Sequence, residues 1–457
     1  MKLGDPFLSE APYAGGERLT ASQPAPEAVP SKALSTASVR VHPEAMRWIV
    51  AQEGSRQTYA VPLAFHRLGI LRLFYTDIWC RHGRAVLRRG PKGAQALAGR
   101  FKAEIPGDRV VSFSPRAIVA KTIQDLRRRK ASPAELGNEY CRFGRWFAQQ
   151  VCGHLKDIET DPARDLFFGF DTNSLEILEL LKERGLFTVL DQVDPGSVHE
   201  DLVIEESQRW PGWEKAPGRM PQSYQDRRRA EWDAASLVLV NSEWSRRALV
   251  QQGVAREKII VVPLAIDLAG HQFPPPIEAR GGLKVLWLGN VTISKGIQYL
   301  VEAARLLQSD NIEFLLAGPL YISGEAVRSF PANIKILGRV TRDKLGEVYS
   351  QAHVFVLPTI SDGFAVTQLE AMAHGLPVVV TPNCGRVVTD GVDGLVVPAR
   401  DSKALADALA RLNAERQLLR EMSAQTMKTV LAYDLPSNAR LICEEVARFR
   451  GCAAQTG

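Results

Sequence analysis

The sequence predicts an α/β protein of two doubly wound parallel-sheet domains that face each other across a cleft. Three observations support this prediction. The chain of 457 residues is too long for one ordinary hydrophobic core. Short apolar runs alternate with helical patterns, as in a parallel sheet covered on both faces. The Pro- and Gly-rich residues 271–282 (HQFPPPIEARGG) interrupt this alternation and predict a linker.

The alternation divides the chain into five parts. Residues 1–40 are rich in Pro, Ala, Ser and Glu and predict a disordered lead-in. The first domain is expected at 41–270 and the second at 283–430, on either side of the linker. A closing helix is expected at 431–457.

The individual elements follow from apolar runs and from the residues that end them. Gly185 and Gly253 each end a helical pattern, and Ser242 is a helix cap. Gly375 ends the helical pattern of residues 364–374. Strands of the first domain are predicted at 46–52, 70–75, 165–170, 187–190, 236–240 and 258–262. Strands of the second domain are predicted at 284–288, 312–317, 334–337, 353–357 and 378–381.

Composition excludes several classes of protein. No apolar run approaches the roughly 18–20 residues of a membrane-spanning helix, and no secretory leader is visible, so we expect a cytoplasmic protein. The six cysteines form no C-x-x-C pair and the eight histidines no H-E-x-x-H motif. We therefore expect no disulfide framework, no metal and no cofactor.

The positive charge is concentrated in one region of the first domain. Between Arg81 and Lys130 there are fourteen Lys or Arg and three Asp or Glu, whereas the whole chain carries +6. Solvated helix faces would explain this pattern, as would peripheral contact with an anionic membrane or with an acidic acceptor. Nucleic acid is the weakest candidate, because the basic run lacks interleaved aromatic residues, and we expect no nucleic-acid partner.

Ligands of open parallel sheets bind beyond the carboxyl ends of the strands. In the first domain this rule selects the loops that hold Glu53, Gly54, Asp191 and Asp194. In the second domain it selects a loop with Gly289, Asn290 and Lys295, and further loops at 338–340 and 359–365. These loops are rich in Gly, acid and amide residues, which favours a polar ligand between the domains.

Two segments of the second domain suggest a phosphate ligand. Lys295 stands where a helix begins, so its charge can add to the helix dipole. Ser361-Asp362-Gly363-Phe364 provides flexible backbone at another helix start, whose amides suit a diphosphate. Glu370 lies in an otherwise apolar helix, and a carboxylate in such a helix needs a partner.

Together these segments resemble the retaining glycosyltransferases that include bacterial sucrose-phosphate synthases, mannosyltransferases and glycogen synthases. The resemblance lies in VLWLGNVTISKGIQYLVEAARLL, in ILGRVTRDKLGEVYSQAHVFVLPTISDGFAVTQLEAMAHGLPVVVT, and in DGVDGLVVPARDSKALADAL. It extends over about residues 236–449. It implies the GT-B fold, with two Rossmann-like domains facing an interdomain cleft, and a nucleotide-sugar donor bound without metal.

The resemblance also implies roles for individual residues. Asp362 would hold hydroxyls of the donor sugar and Glu370 the ribose, and Lys295 would hold phosphate. Backbone near Arg339 and Val340 would hold the nucleobase. The expected donor site is Gly289, Asn290, Lys295, Arg339, Val340, Asp362, Gly363, Phe364, Ala365, Val366 and Glu370. Expected on the acceptor side are Glu53, Gly54 and Asp194, and the expected catalytic groups are Lys295, Asp362 and Asp191.

The sequence departs from the family pattern at four points, and one of them is Arg386, which replaces the acid common before the late D-G-x-x-G turn. Asp362 is one methylene shorter than the usual Glu, and Asn290 replaces an arginine. The histidine that often follows a central first-domain strand is absent, and the segment Asp191-Gln192-Val193-Asp194 stands in its place. His199 lies just beyond it and is expected on the surface.

These departures leave several functions open. The first is a transferase acting on a glycan or lipid-linked acceptor in bacterial surface polysaccharide synthesis. Such an enzyme would work in the cytoplasm or peripherally at the inner membrane face. The second is a catalytically degenerate sugar-nucleotide-binding protein of the same fold. A nucleotide-sugar epimerase is a third. A phosphorylase would need a pyridoxal-bearing lysine and a longer chain.

Overall fold

The computed structural model describes residues 46–90, 92–128, 132–215, 217–277 and 281–456. The predicted disordered lead-in at 1–40 lies outside the described residues. So do the middle of the predicted linker and the last two residues of the basic region, Arg129 and Lys130.

The first sheet has seven parallel strands in the order β3-β2-β1-β4-β5-β6-β7. The chain starts in the middle and winds outward in both directions, as predicted. The strands are β1 (Arg47–Gln52), β2 (Leu71–Thr76), β3 (Val110–Ser112), β4 (Asp165–Phe170), β5 (Phe187–Gln192), β6 (Leu237–Val240) and β7 (Ile259–Val261).

The second sheet has six parallel strands in the order β10-β9-β8-β11-β12-β13. Both sheets therefore confirm the predicted doubly wound α/β architecture. The strands are β8 (Leu283–Leu288), β9 (Ile312–Ala317), β10 (Ile334–Gly338), β11 (Val354–Leu357), β12 (Val378–Val380) and β13 (Gly394–Val396).

Helices connect the strands and cover both faces of each sheet. In the first half they are α1 (Ala60–Arg67), α2 (Arg84–Leu87), α3 (Lys92–Ala98), α4 (Ser114–Arg128), α5 (Pro133–Leu155), α6 (Leu175–Glu183), α7 (Ser197–Arg209), α8 (Gln222–Ala234) and α9 (Glu243–Gln251). The others are α10 (Ile297–Leu306), α11 (Gly324–Arg328), α12 (Leu345–Ser350), α13 (Val366–Ala373), α14 (Ser402–Ala414), α15 (Arg416–Val430) and α16 (Leu435–Thr456).

Successive side chains of each strand point to opposite faces of the first sheet, so a hydrophobic core forms on each side of it. Trp48 packs with Phe168 on one side, in the same buried cluster as Leu435 and Ile442 of α16. Ile49 points to the other side, in a cluster that includes helix α5. Helix α16 follows the second domain in sequence, yet it packs on α1 of the first.

The sequence did not predict strands β3 and β13. Each has three residues and lies at a sheet edge, so neither forms the long buried apolar run that identifies the central strands.

Strand order reverses between β1 and β4 in the first sheet and between β8 and β11 in the second. Ligands of such sheets bind outside the carboxyl ends of the strands at these reversals. The loops that begin at Glu53 and Asp171 follow β1 and β4, and those that begin at Gly289 and Pro358 follow β8 and β11.

Candidate active site

The lysine of the second domain lies on a short turn that the backbone holds tightly. Residues Ile293–Lys295 form one turn of 3₁₀ helix, and Gly296 then has a φ of 73° before α10 begins. A Cβ at Gly296 would lie 1.8 Å from the carbonyl oxygen of Pro358, so only glycine fits. The turn is thereby pressed against the loop that follows β11.

That loop, residues 359–365, is fixed by hydrogen bonds to its neighbours. Thr359 Oγ1 and the Ile360 amide both donate to the carbonyl oxygen of Ser294, at 3.0 and 2.9 Å. The Asp362 amide donates to the carbonyl oxygen of Asn383 at 2.9 Å. The two loops and the loop after β12 therefore form one rigid edge.

Lys295 and Asp362 meet at this edge as an ion pair between Nζ and Oδ2. Their side chains are 28% and 18% exposed, so the pair borders the cleft. The lysine and the first of the two predicted acids therefore lie at the same point.

Helix α13 begins directly after this pair. Its first residue, Val366, follows the buried residues Gly363, Phe364 and Ala365. A Cβ at Gly363 would lie 2.1 Å from the carbonyl oxygen of Val193 in the first domain. The amides at the start of α13 thus lie where the two domains touch, as expected for groups that bind a ligand in the cleft.

The other predicted donor-side residues lie along the same edge. The Gly289 amide donates to the carbonyl oxygen of Ala317 at 3.0 Å. Asn290 and Arg339 are exposed at the ends of β8 and β10, and Val340 is half-buried.

Glu370 lies one turn along α13 and lines a cavity of about 580 Å³ between the domains. Ligand pockets commonly have volumes in this range. Val366, Arg342 and Thr58 also line the cavity, and Arg342 Nη1 donates to Thr58 Oγ1 at 2.6 Å.

Glu370 has a partner within the protein, so its place in an apolar helix does not by itself indicate a ligand. Glu370 is only half-buried, and Tyr349 Oη donates to Glu370 Oε2 at 2.9 Å. Because Glu370 lines the cavity together with Val366, its carboxylate remains a candidate for binding ribose hydroxyls.

Asp191, at the end of β5, is buried beside a second cavity of about 210 Å³. Phe364 and Val366 of the second domain line the same cavity. Asp191 Oδ1 has no hydrogen-bond partner. Burial raises the pKa of Asp191 to about 7; Arg56 opposes this rise, and the Asp171 carboxylate adds to it. A carboxylate that titrates near neutrality therefore faces the start of α13.

The other acceptor-side predictions lie in contacts within the first domain. Glu53 Oε1 accepts from Lys121 Nζ at 3.2 Å, and the Gly54 amide donates to Asp77 Oδ1 at 3.0 Å. Asp194 Oδ1 accepts from the Gly196 amide at 2.8 Å and from Arg228 Nη1 at 3.3 Å.

Helix α7 of the first domain joins the second domain through a buried carboxylate. Glu206 has no exposed surface and accepts from Arg400 Nε at 2.7 Å, Tyr299 Oη at 2.5 Å and Gln298 Nε2 at 3.1 Å. All three partners belong to the second domain. We call Glu206 and these partners the clasp.

The clasp stands beside apolar packing between the domains. The buried residues of this cluster come from both domains: Val198, Leu202, Trp244, Ala248, Tyr299, Ile360 and Ala399. Trp244 Nε1 also donates to Ser361 Oγ at 3.1 Å, next to the ion pair of the second domain. The domains are therefore held closed around the candidate site.

Comparison with known families identifies the second domain. The family "Glycosyl transferases group 1" matches residues 282–415, which include the lysine turn, the Asp362 loop and α13. The second domain is therefore similar to the group 1 glycosyltransferases.

Curated relatives of this family match over parts of the chain. A D-inositol 3-phosphate glycosyltransferase of Nocardia farcinica is 28% identical over 49% of this chain and 56% of its own length. The amylovoran biosynthesis glycosyltransferase AmsK of Erwinia amylovora is 25% identical over 39% of this chain and 47% of its own length. The chain thus spans about half the length of these relatives.

Solved structures match over both domains. The sucrose-phosphate synthase of Thermosynechococcus elongatus superposes with a TM-score of 0.60 and 16% identity, over 89% of this chain and all of the other. HepE of Anabaena, solved in complex with UDP-glucose, gives a TM-score of 0.54 and 15% identity, over 88% of this chain and all of the other. These similarities establish the GT-B fold.

The structure corrects the position expected for His199. It was expected on the surface, but it lies on α7, is partly buried, and its Nδ1 has no solvent contact and no partner. Burial lowers the pKa of its imidazole, Asp194 opposes this shift, and Lys295 adds to it. The charges of Lys295 and Asp194 therefore act on a histidine of α7 that the sequence pattern did not place near them.

Sequence reasoning also missed Asp77, at the end of β2. Its carboxylate is buried and accepts from Lys121 Nζ at 2.7 Å and Arg100 Nη1 at 2.9 Å. Burial alone would raise the pKa of Asp77, but Lys121 and Arg100 outweigh it and hold the pKa below its usual range. Asp77 thereby anchors the loop of Glu53 and Gly54.

The described residues contain neither a group suited to bind a metal ion nor a helix suited to span a membrane. Among residues 46–456, apart from the gaps given above, no group of three His, Cys, Asp or Glu could hold a metal ion. Within the same part of the chain, every helix is too short or too polar to cross a membrane.

Proposed function

We propose that the protein transfers a sugar from a nucleotide-sugar donor to a glycan or lipid-linked acceptor, with retention of the anomeric configuration. The observation that supports this most is the meeting of Lys295, Asp362 and the start of α13 at one point of the cleft. A cation and helix amides suit a diphosphate, and a neighbouring carboxylate suits sugar hydroxyls.

The donor is proposed to extend along the edge of the second domain. Its diphosphate would replace the Asp362 carboxylate as the partner of Lys295 and accept from the amides of residues 363–366. Asp362 would then bind sugar hydroxyls and Glu370 the ribose. The backbone at Arg339 and Val340 would contact the nucleobase.

In the proposed reaction, the acceptor oxygen bonds to the anomeric carbon as the bond from that carbon to the β-phosphate oxygen breaks. The acceptor proton passes to the departing phosphate. Negative charge grows on that phosphate, so Lys295 and the helix amides supply the main stabilisation without a metal ion. Because Asn290 provides no charge, Lys295 is the cation on which this stabilisation depends.

Asp191 is proposed to orient the acceptor hydroxyl from the first domain. It faces the cavity that Phe364 and Val366 also line, so an acceptor there would lie next to the donor sugar. Its unpartnered Oδ1 can accept a hydrogen bond from a hydroxyl.

The proposed setting is the cytoplasm of a bacterium during synthesis of a surface polysaccharide. AmsK, which is named for amylovoran biosynthesis, supports this setting, and HepE, which binds UDP-glucose, supports a nucleotide-sugar donor.

Thermal unfolding with UDP, GDP, ADP and their sugar conjugates tests the donor site. A ligand that binds only the folded protein stabilises it by about 2.7 kcal/mol at one hundred times its Kd. We expect one nucleotide series to raise Tm and the matching sugar nucleotide to be turned over. Tight nucleotide binding without turnover would support the degenerate binding protein instead, and no shift with any nucleotide would contradict a donor site.

A change of Asp191 to asparagine tests the acceptor role through pH. The pKa of Asp191 is raised from 3.8 to about 7 in the folded protein. Its contribution to stability is therefore full below about pH 4 and is lost as pH rises through about 7. Asparagine stays neutral, so we expect the Tm of D191N to exceed that of wild type by a margin that grows as pH rises from 5 to 8.

The same variant should change the pH profile of nucleoside diphosphate release. In wild type we expect the rate to rise through about pH 7 as Asp191 ionises, and in D191N we expect a lower rate without that step. D233N, at an exposed position on α8, is the matched control and should keep the wild-type profile. An unchanged step in D191N would exclude Asp191 as the group responsible.

A further inference from the structure

Helix α4 has apolar side chains on its exposed side. Val119 and Leu126 are 60% and 59% exposed, and Ile118 and Ile123 are also exposed. By contrast, Gln124 of the same helix is buried. Soluble proteins seldom expose such a contiguous apolar group unless it meets a partner.

The spacing of these residues makes them a continuous surface. Val119, Ile123 and Leu126 are separated by four and three positions, so they lie along one face of the helix. The buried side faces α5, where Gln124 Nε2 donates to the carbonyl oxygen of Glu139 at 3.2 Å. We call the exposed residues Ile118, Val119, Ile123 and Leu126 the stripe.

Positive charge is concentrated in the part of the chain that contains the stripe. Between Arg81 and Arg128 there are twelve Lys or Arg and three Asp or Glu. Arg116 and Arg127 are exposed on α4 itself. The Trp79 amide donates to Ser114 Oγ at 3.0 Å, so the basic segment that follows Trp79 starts beside the start of α4.

The basic segment has an exposed apolar residue of its own. Val86 of α2 is exposed, and the neighbouring Arg88 and Arg89 are exposed as well. An apolar face among cations is the pattern of helices that lie at the surface of anionic membranes, with apolar groups entering the lipid and cations meeting the headgroups.

The position of α4 connects this surface with the cleft. Lys121 bonds inward to Asp77 and Glu53, which follow β2 and β1 at the carboxyl edge of the first sheet. The stripe therefore lies on the outside of the helix that borders the proposed acceptor side. A lipid surface on α4 would bring the headgroup of a lipid-linked acceptor to the mouth of the cleft.

We propose that the stripe and the cations around it dock the protein on an anionic lipid surface, and that its acceptor is lipid-linked. The acceptor part rests on the proposed function, whereas docking does not. Charge favours lipid over a second copy of this chain, because two equally basic surfaces would repel each other. A nucleic acid would use the cations but not the stripe.

Flotation of the full chain with vesicles tests the docking. We expect binding to vesicles of phosphatidylglycerol and phosphatidylcholine, weaker binding as salt rises, and little binding to phosphatidylcholine alone. The double change V119S and L126S should lower the partition coefficient about 10- to 100-fold, because it removes two apolar side chains from the lipid contact. Both positions are exposed, so the fold should survive.

The matched control is the double change V250S and L306S, at exposed apolar positions on α9 and α10. It should leave vesicle binding unchanged. Equal binding of the stripe variant and wild type would overturn the proposal. So would self-association of wild type, measured by sedimentation without lipid, that the stripe variant abolishes.

Nucleotide-induced thermal shifts of the stripe variant separate this proposal from the proposed function. We expect those shifts to match wild type, because the donor residues lie in the second domain. Vesicle binding without any nucleotide response would leave the docking surface standing and contradict the donor site. A nucleotide response without vesicle binding would support the donor site and contradict the docking surface.

Discussion

Replacing Lys295 by alanine will lower the rate of sugar transfer by about 100- to 1,000-fold, the range found when one preorganised donor to a developing charge is lost. The reason is that Lys295 is the cation that pairs with Asp362 at the proposed diphosphate site, where Asn290 is neutral. The nucleotide-induced rise in Tm should fall with the rate.

The stability of K295A without nucleotide shows whether the change affects nucleotide binding or the folding of the protein. Because both side chains of the pair are partly exposed, its loss should change the free energy of unfolding by only about 0–1 kcal/mol. K284A is the matched control, since Lys284 is exposed at the start of β8. K284A should keep both the rate and the shift. A K295A protein that still responds fully to nucleotide would refute the proposed donor site.

Replacing Glu206 by glutamine will loosen the closed arrangement of the domains. The side chain of Arg400 is 6% exposed and pairs with Glu206, which is fully buried. Removing one partner of a buried ion pair costs about 3–5 kcal/mol. Since the partners belong to different domains, we expect this cost to appear mainly as domain opening, measured as a larger radius of gyration by small-angle X-ray scattering.

E205Q provides the control from the same helix. Glu205 also pairs with Arg400, at 3.0 Å, but its side chain is 42% exposed, so its loss should cost less than about 1 kcal/mol. Equal scattering profiles of E206Q, E205Q and wild type, with equal Tm values, would show that the clasp does not hold the domains together.

The sequence predicted the fold because the central strands are continuous apolar runs. Segments such as the Val378 strand are buried on both faces. The same local logic predicted the loop of Lys295 and the loop of Asp362, because each one lies between a strand and a helix. The ion pair between Lys295 and Asp362 could not be predicted from the sequence, because it depends on how the two loops are placed in the folded protein.

The features that the sequence did not predict depend on contacts between distant residues. Glu206 and Arg400 are 194 positions apart, and the segment of Arg400 that resembles the family gives no sign of a partner on α7. His199 was wrongly expected on the surface because α7 is mostly polar. Its two apolar residues in the buried cluster between the domains, Val198 and Leu202, are too few to identify a buried face from the sequence. Asp77 was missed because its partner Lys121 is 44 positions away.

Helix α16 makes the first domain discontinuous. Its buried residues, among them Leu435, Ile442 and Val446, complete the core that β1 and β4 begin. The second domain is therefore an insertion, and the chain crosses between the two domains twice, once outward near 263–282 and once back near 431–434. The two crossings lie side by side, since the Ile266 amide donates to the carbonyl oxygen of Tyr433. Two adjacent covalent crossings restrict twisting and leave a hinge-like opening as the natural relative motion, which the clasp opposes. The first domain cannot complete its core until the second domain has been synthesised, so the two halves are coupled in folding.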